Sequence, residues 1–88
     1  MFAYTLRSRM APDTEQGDDF FRRFIETPGL THAFELRGVD DPSETLLVAI
    51  WETREAAERY LNEAPLRREV DQAIPDVTRT MYEVRATK

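Results

Sequence analysis

Two segments of the chain alternate between apolar and polar residues, which is the pattern of a β-strand with one buried face. They run from Phe2 to Arg9 and from Leu30 to Arg37. A third segment, Leu46 to Trp51, is apolar at every position, so we expect a central strand that is covered on both faces. A fourth strand is predicted from Val77 to Arg85.

The segment from Glu15 to Glu26 has apolar residues at helical spacing and predicts an amphipathic helix. Its apolar stripe consists of Phe20, Phe21, Phe24 and Ile25. Asp13 or Thr14 can serve as the N-cap. We expect Thr27-Pro28-Gly29 to end the helix, because proline cannot continue it and glycine suits a C-terminal turn.

A second helix is predicted after Thr53, whose hydroxyl is a typical N-cap group. Pro65 interrupts this segment, and we expect it to be the first residue of a short continuation that Pro75 stops. Between the second and third strands, Asp40-Asp41-Pro42-Ser43 predicts the turn of a hairpin.

The predicted order of elements is β-α-β-β-α-β, which is the ferredoxin-like plan of an α+β protein with an antiparallel sheet. In that plan the helices cover one face of the sheet, and the first and third strands lie in its middle. The other face would then expose Leu46, Val48 and Ile50. Because exposed apolar patches usually mark interfaces, we expect a homodimer.

Composition narrows the partners and the chemistry. The 88 residues suit a single domain over residues 1–88, and the net charge of −5 argues against a nucleic-acid partner. The chain has no cysteine, so disulfides, thiolate catalysis and cysteine-based zinc sites are excluded, and no His or carboxylate cluster has the spacing of a metal site. No apolar run approaches the roughly 18 residues of a membrane span, and no signal-peptide pattern is present, so we expect a cytoplasmic protein.

Four short sequence pieces occur in order along nearly the whole chain. They are Thr27-Pro28-Gly29-Leu30, Asp40-Asp41-Pro42, Ile50-Trp51-Glu52-Thr53-Arg54-Glu55-Ala56 and Ala64-Pro65-Leu66-Arg67. Together they resemble the antibiotic biosynthesis monooxygenase family of small dimeric α+β barrel proteins. The resemblance implies two sheets packed face to face as a barrel, with a ligand cavity between sheet and helices in each subunit. It also implies activities found among members, such as cofactor-independent oxidation of anthrones or hydroquinone-like aromatics to quinones, haem degradation, or removal of small reactive compounds.

A hairpin that is symmetric about Asp41–Pro42 places His32 opposite Trp51 and Phe34 opposite Ala49. Tyr4, His32, Phe34 and Trp51 would then share one sheet face. An aromatic pocket with one titratable group suits a flat phenolic ligand. We therefore predict His32 and Trp51 as catalytic, with His32 the base that takes the phenolic proton. The alternatives are that Trp51 is a core anchor and His32 an ordinary strand residue.

Other side chains near the predicted pocket suit binding of the substrate. Tyr4 and Phe34 would line it, Tyr60 could hydrogen-bond a ligand carbonyl, and Asn62 lies nearby on the second helix. Arg79 could neutralise a phenolate or hold superoxide. The alternatives are that Tyr60 belongs to the core and that Arg79 is solvated or lies at the rim of a dimer.

Together with the predicted pocket, the family resemblance implies a cofactor-independent monooxygenase that oxidises an aromatic, polyketide-like substrate with O2. Oxygenases of the family commonly pair the Trp with an Asn on the sheet, whereas the third strand here offers Leu47 and Ala49. Haem degradation is disfavoured, because residues Arg54 to Ile74 contain no His where haem-degrading relatives place one. A polyketide cyclase or isomerase on the same barrel, or a domain that only binds a small hydrophobic ligand, is the alternative function.

Overall fold

The computed structural model describes residues 1–9, 15–74 and 76–88. Its elements, in chain order, are strand β1 (Phe2–Ser8), helix α1 (Glu15–Phe24), strand β2 (Leu30–Arg37), strand β3 (Thr45–Trp51), helix α2 (Arg54–Glu63), helix α3 (Pro65–Ala73) and strand β4 (Thr78–Glu83). The four strands form one antiparallel sheet in the order β2-β3-β1-β4. This is the predicted ferredoxin-like arrangement, and the central placement of β1 and β3 is confirmed.

The helix boundaries follow local chemistry. The Thr53 hydroxyl accepts a hydrogen bond from the Ala56 amide at 3.1 Å, which confirms it as the N-cap of α2. Pro65 is the first residue of α3, as predicted. Helix α1 ends at Phe24, two residues before the predicted end, and Ile25 is therefore half exposed instead of part of the buried stripe. The predicted caps Asp13 and Thr14 and the predicted stop at Pro75 lie outside the described residues.

The core lies between one face of the sheet and the three helices. Its buried apolar residues form one cluster, which joins Tyr4, Leu6, Ala49 and Trp51 from the sheet to Phe24, Ala57, Tyr60, Leu66, Val70 and Ile74. Trp51 and Tyr4 are the largest side chains that are fully buried. No helix among the described residues is long and apolar enough to cross a membrane.

The register of the β2–β3 hairpin corrects the predicted pairing. Arg37 pairs with Thr45 and Phe34 with Val48, so the hairpin is symmetric about Asp41 alone. The Asp41 carboxylate accepts hydrogen bonds from the amide and hydroxyl of Ser43, which fixes this turn. Because successive strand residues face opposite sides, a slip of one residue moves every side chain of β2 to the other face.

A β-bulge between Leu30 and His32 completes the change. Leu30 pairs with Trp51, and His32 pairs with Ile50. The Thr31 hydroxyl donates to the Ile50 carbonyl at 3.0 Å within this irregular stretch. The prediction that His32 and Phe34 share a face with Tyr4 and Trp51 is therefore wrong, since both lie on the face away from the helices.

The face away from the helices is largely apolar. Phe34 and Tyr82 remain about half exposed on it, at 52% and 53%, and Leu46, Val48 and Ile50 are partly exposed in its middle. Leu46, Val48 and Ile50 of β3 therefore lie on the face where the sequence predicts an interface.

Candidate functional site

A cavity of about 70 Å³ lies between the helix-covered face of the sheet and helices α1 and α3. One enclosed water needs roughly 10–15 Å³ by this kind of measure, so the cavity has room for a small organic group. Its lining residues are Leu6, Ser8, Gly17, Phe20, Phe21, Phe24, Glu35, Thr45, Leu47, Tyr60, Leu66, Val70 and Ile74. The position agrees with that implied by the family resemblance.

Aromatic side chains form half of the wall on the helix side. Phe20, Phe21 and Phe24 come from α1, where their spacing puts them on the face towards the sheet. The Phe24 ring meets the Tyr60 ring edge-on, with centroids 5.1 Å apart at 74°. Leu6 and Leu47, which pair across β1 and β3, line the sheet side. A flat, apolar ring suits a space with these walls.

One end of the cavity is polar. Ser8 and Thr45 pair across β1 and β3 and are both buried, at 3% and 9% exposure. Glu35 pairs with Leu47 on the neighbouring strand and also lines the cavity, while its side chain is exposed. Two hydroxyl groups and a carboxylate thus lie at the end of an otherwise apolar space, where they could orient a polar group of a ligand.

Trp51 lies behind the cavity wall. Its ring is fully buried and packs against Phe24 and Tyr60, with centroids 6.0 and 5.8 Å away. The indole N–H is buried without a hydrogen-bond partner among the described residues. A buried donor left unpaired costs about 1–3 kcal/mol, and this N–H has no accessible surface at which a water or a ligand in the cavity could meet it. The packing also fits the core-anchor interpretation of Trp51.

Tyr4 joins the core to an arginine. The Arg79 Nε–H donates to the Tyr4 Oη at 2.7 Å, and the Arg79 guanidinium also pairs with the Asp71 carboxylate. Burial raises the pKa of the Tyr4 phenol, although the charge of Arg79 opposes the shift. Burial, assisted by the nearby Tyr4, also raises the pKa of Tyr60. Both phenols are therefore neutral at ordinary pH and act as hydrogen-bonding groups.

The predicted site residues fall into four places. Tyr60 lines the cavity, and Tyr4 and Trp51 lie in the core beside it. Asn62 and Arg79 line a separate groove of about 400 Å³ near the junction of α2 and α3. His32 and Phe34 lie on the opposite sheet face, exposed to solvent. The structure therefore does not bring the predicted base and the predicted tryptophan together.

Ser8, Glu35 and Thr45 were missed as candidates. Each is a polar residue at a strand position that faces the helices, two residues from an apolar neighbour such as Leu6 or Leu47. A polar residue at an inward position of an alternating strand is unusual in a core, and this was the signal available in the sequence. For Glu35, recognising that signal required the correct hairpin register.

No protein-family model and no curated protein matches the sequence. Solved structures match its fold over nearly the whole chain. A mutant of SnoaB, described as a cofactor-independent oxygenase from Streptomyces nogalater, is 18% identical with a TM-score of 0.76, covering 98% of this chain and 94% of its own. Rv0793 from Mycobacterium tuberculosis is 14% identical with a TM-score of 0.77, covering 98% and 96%.

A further structure, described as an antibiotic biosynthesis monooxygenase, is 13% identical with a TM-score of 0.73, and covers 96% of this chain and 98% of its own. The fold is therefore the one found in structures of this family, which confirms the resemblance at the level of fold. At such low identity the likeness does not extend to the substrate or the reaction.

Proposed function

We propose that the protein is a cofactor-independent monooxygenase that oxidises a small phenolic or hydroquinone-type compound with O2 in the cavity between the sheet and helices α1 and α3. The observation that carries the proposal is the cavity itself, with aromatic walls and a polar end that holds Glu35. SnoaB, which is described as a cofactor-independent oxygenase, has the same fold, and this likeness supports the proposed monooxygenase function.

The cavity volume favours a small substrate. Pockets for drug-sized ligands are typically about 300–1,000 Å³, and this cavity of about 70 Å³ is well below that range. One or two aromatic rings suit it better than the three fused rings of an anthrone. The ring would lie between the Phe20, Phe21 and Phe24 side chains and the leucines of the sheet, with its hydroxyl near Ser8 and Thr45.

The reaction needs no external reductant. A phenol whose para ring carbon carries hydrogen can give a quinone: that C–H bond becomes C=O, one oxygen atom of O2 enters the product, and the other leaves as water with the phenolic and ring hydrogens. Such a phenol supplies all four electrons that O2 accepts. A hydroquinone already carries the second oxygen, supplies two electrons and two hydrogens, and leaves O2 as hydrogen peroxide. The step that a protein group must assist is removal of the phenolic proton, because the phenolate gives an electron to O2 more readily than the phenol.

Glu35 replaces His32 as the proposed base. Its carboxylate lines the cavity, whereas His32 lies on the opposite face of the sheet. Trp51 and Tyr60 stay in the proposal as groups that hold the cavity in shape, with Tyr60 at its wall and Trp51 packed behind it.

The test is O2 uptake with a panel of phenols, naphthols, hydroquinones and anthrones. Uptake coupled to quinone formation is expected for one- and two-ring compounds, and Glu35→Gln should lower the rate by a factor of about 10² or more while ligand binding is largely kept. Glu26→Gln is the matched control, because Glu26 is exposed in the turn after α1 and does not line the cavity. Uptake that is unchanged in Glu35→Gln would remove the proposed base.

A binding role without catalysis is the second candidate, and the predominantly apolar lining favours it. In that case a naphthol would bind and change the emission of Trp51 without O2 uptake. Conversion of a ligand without O2 uptake would instead indicate the cyclase or isomerase alternative.

We also propose that the protein works as a homodimer in which the exposed sheet faces pack together. Phe34, Leu36 and Tyr82 leave 52%, 46% and 53% of their surface exposed on that face. Covering such a face stabilises the assembly, since roughly 25 cal/mol is gained for each Å² of apolar surface removed from water.

A further inference from the structure

A groove at the junction of α2 and α3 concentrates positive charge in an acidic chain. It is lined by Leu61, Asn62, Ala64, Arg67, Arg68 and Arg79 and has a volume of about 400 Å³. This volume is within the range of small-molecule sites. It shares no lining residue with the cavity proposed for the phenolic substrate. Tyr60 and Leu66 are next to groove residues in the sequence, but they line that cavity and not the groove.

The charges in the groove are not balanced. Asp71 is the carboxylate that pairs with its arginines: it forms an ion pair with Arg79 and approaches the Arg67 Nε at 3.3 Å. Arg68 has no ion pair within the ranges that the structure describes. The groove thus has three guanidinium groups and one carboxylate that pairs with two of them, whereas the chain as a whole has a net charge of −5.

Two buried nitrogen atoms at the groove have unused hydrogen-bonding capacity. The Nη2 of Arg79 and the Nε of Arg67 have no hydrogen-bond partner among the described residues. The contact of the Arg67 Nε with Asp71 is an ion pair without hydrogen-bond geometry. The Arg79 side chain is only 17% exposed, and its Nε is already held by the Tyr4 hydroxyl. Such buried, unpaired nitrogens are costly, and their charge attracts an anion to the groove; the exposed Arg68 can donate to it directly, whereas the two buried nitrogens reach it only if their side chains shift.

The start of helix α3 also favours an anion in the groove. Helix α3 begins at Pro65 after the N-cap Ala64, which provides no side-chain hydrogen bond to the first turn. The positive end of the helix therefore lies beside the groove, where it favours negative charge, although Pro65 has no N–H and the Arg67 amide already donates to the Ala64 carbonyl. The Asn62 amide adds a further polar group at the groove wall.

From these observations we infer that the groove binds a small oxyanion, namely a phosphate or carboxylate group of a small molecule. Fixed guanidinium groups bind such groups through charge-assisted hydrogen bonds. The inference is independent of the proposed oxidation, because binding in the groove can be measured without turnover.

The test uses inorganic phosphate and acetate as probes, with total ionic strength kept constant by sodium chloride. In ¹⁵N-labelled protein, we expect saturable shifts of the Ala64, Arg67 and Arg68 amides and of the Arg79 Nε signal. Arg68→Gln should weaken phosphate binding about tenfold, since it removes one charge-assisted contact. Arg59→Gln should change it less than about twofold, because Arg59 lies outside the groove and pairs with Glu55.

Saturable binding of either probe that depends on Arg68 supports the inference. Shifts that stay linear, that chloride reproduces, or that Arg59→Gln reduces as much as Arg68→Gln would overturn it. Thermal unfolding of each variant checks its folding, and Arg67→Gln serves as a second groove variant should Arg68→Gln lose structure.

Discussion

Tyr4 is the side chain that connects the core to the arginine groove. Its hydroxyl accepts the hydrogen bond from Arg79, and its ring meets that of Tyr60 edge-on at 6.2 Å. Tyr60 in turn lines the cavity. A single phenol thus lies between the proposed anion groove and the proposed substrate cavity, linked to the first by a hydrogen bond and to the second by one edge-on ring contact.

The two buried phenols give the fold an alkaline limit. Burial raises the pKa of Tyr4 and of Tyr60 above the usual 10.0, so the folded chain keeps protons that the unfolded chain releases as pH rises through 10.0. Their contribution to stability is complete below that pH and is lost above it. The free energy of unfolding should fall by up to about 1.4 kcal/mol per pH unit for each tyrosine.

Urea unfolding between about pH 8 and about pH 11 measures this fall. Tyr60→Phe should remove about half of it, because only one of the two buried phenols then remains. A slope that is the same in wild type and Tyr60→Phe would contradict the prediction.

Trp51 is the residue at which packing and hydrogen bonding have opposite effects. Trp51→Phe removes buried ring surface, but it also removes an indole N–H that has no partner among the described residues. We expect a net loss of less than about 2 kcal/mol, compared with about 3–5 kcal/mol for Trp51→Ala. Phe24→Leu is a control that loses ring surface from the same cluster without removing a polar group.

Chemical denaturation of the three variants is the measurement. A loss in Trp51→Phe as large as that in Trp51→Ala would mean that the indole N–H is satisfied in the folded protein.

Residue types identified Trp51, Tyr4 and Tyr60 as core or site residues, because large aromatics on the inner face of a strand or helix have few other roles. Residue type alone does not place His32 on the correct face of the sheet. Its face depends on the register of the hairpin and on a bulge, and neither is encoded in the identity of the histidine itself.

At the scale of elements, Gly29 sets how closely β2 and β3 approach α2. It has φ +87°, a left-handed conformation, and a Cβ at this position would lie 2.5 Å from the Ala56 Cβ. Its carbonyl accepts from the Glu52 amide at 3.1 Å. This hydrogen bond links the turn after α1 to the residue before the Thr53 cap of α2, beside Trp51.

Gly29→Ala should therefore be strongly destabilising. The left-handed backbone alone costs roughly 1–2 kcal/mol for a residue with a Cβ, and the contact with Ala56 adds to it. Ala56→Gly costs about 1 kcal/mol in helix propensity, in addition to the packing of the partly buried Ala56 methyl group against the core, but it removes that contact. Combined with Gly29→Ala it should recover part of the loss.

A double-mutant cycle by urea unfolding measures this coupling. Simple additivity of the two losses would show that the close approach to Ala56 is not what disfavours a side chain at position 29.

The elements themselves could be predicted well because each has a local signal. Strand β2 has the predicted bounds, the Thr53 cap and the Pro65 start are where the sequence placed them, and Gly29 has the conformation that its position requires. The hairpin register was off by one residue, because Asp41-Pro42-Ser43 permits more than one turn centre. The hydrogen bonds from Ser43 to Asp41, which also lower the pKa of that carboxyl, select one of them.

At the scale of the whole molecule, one sheet face has no covering element among the described residues. Val48 and Ile50 lie in the middle of it, with Phe34 and Tyr82 near its edges. Helices cover the other face, so the chain as described has a one-sided core. A second copy with the same face would bury both patches at once and would give a two-fold, self-complementary interface.

Ile50→Glu tests this arrangement directly. The wild-type protein should run near twice its mass of 10.3 kDa by light scattering at micromolar concentration. A glutamate at position 50 places a charge without a partner in the apolar centre of the interface, so the variant should become monomeric and less stable. Val39→Glu makes the same change at a residue that is 94% exposed in the hairpin loop, and it should leave the dimer intact. A monomeric wild type, or an Ile50→Glu variant that stays dimeric with unchanged stability, would mean that this face does not form the interface.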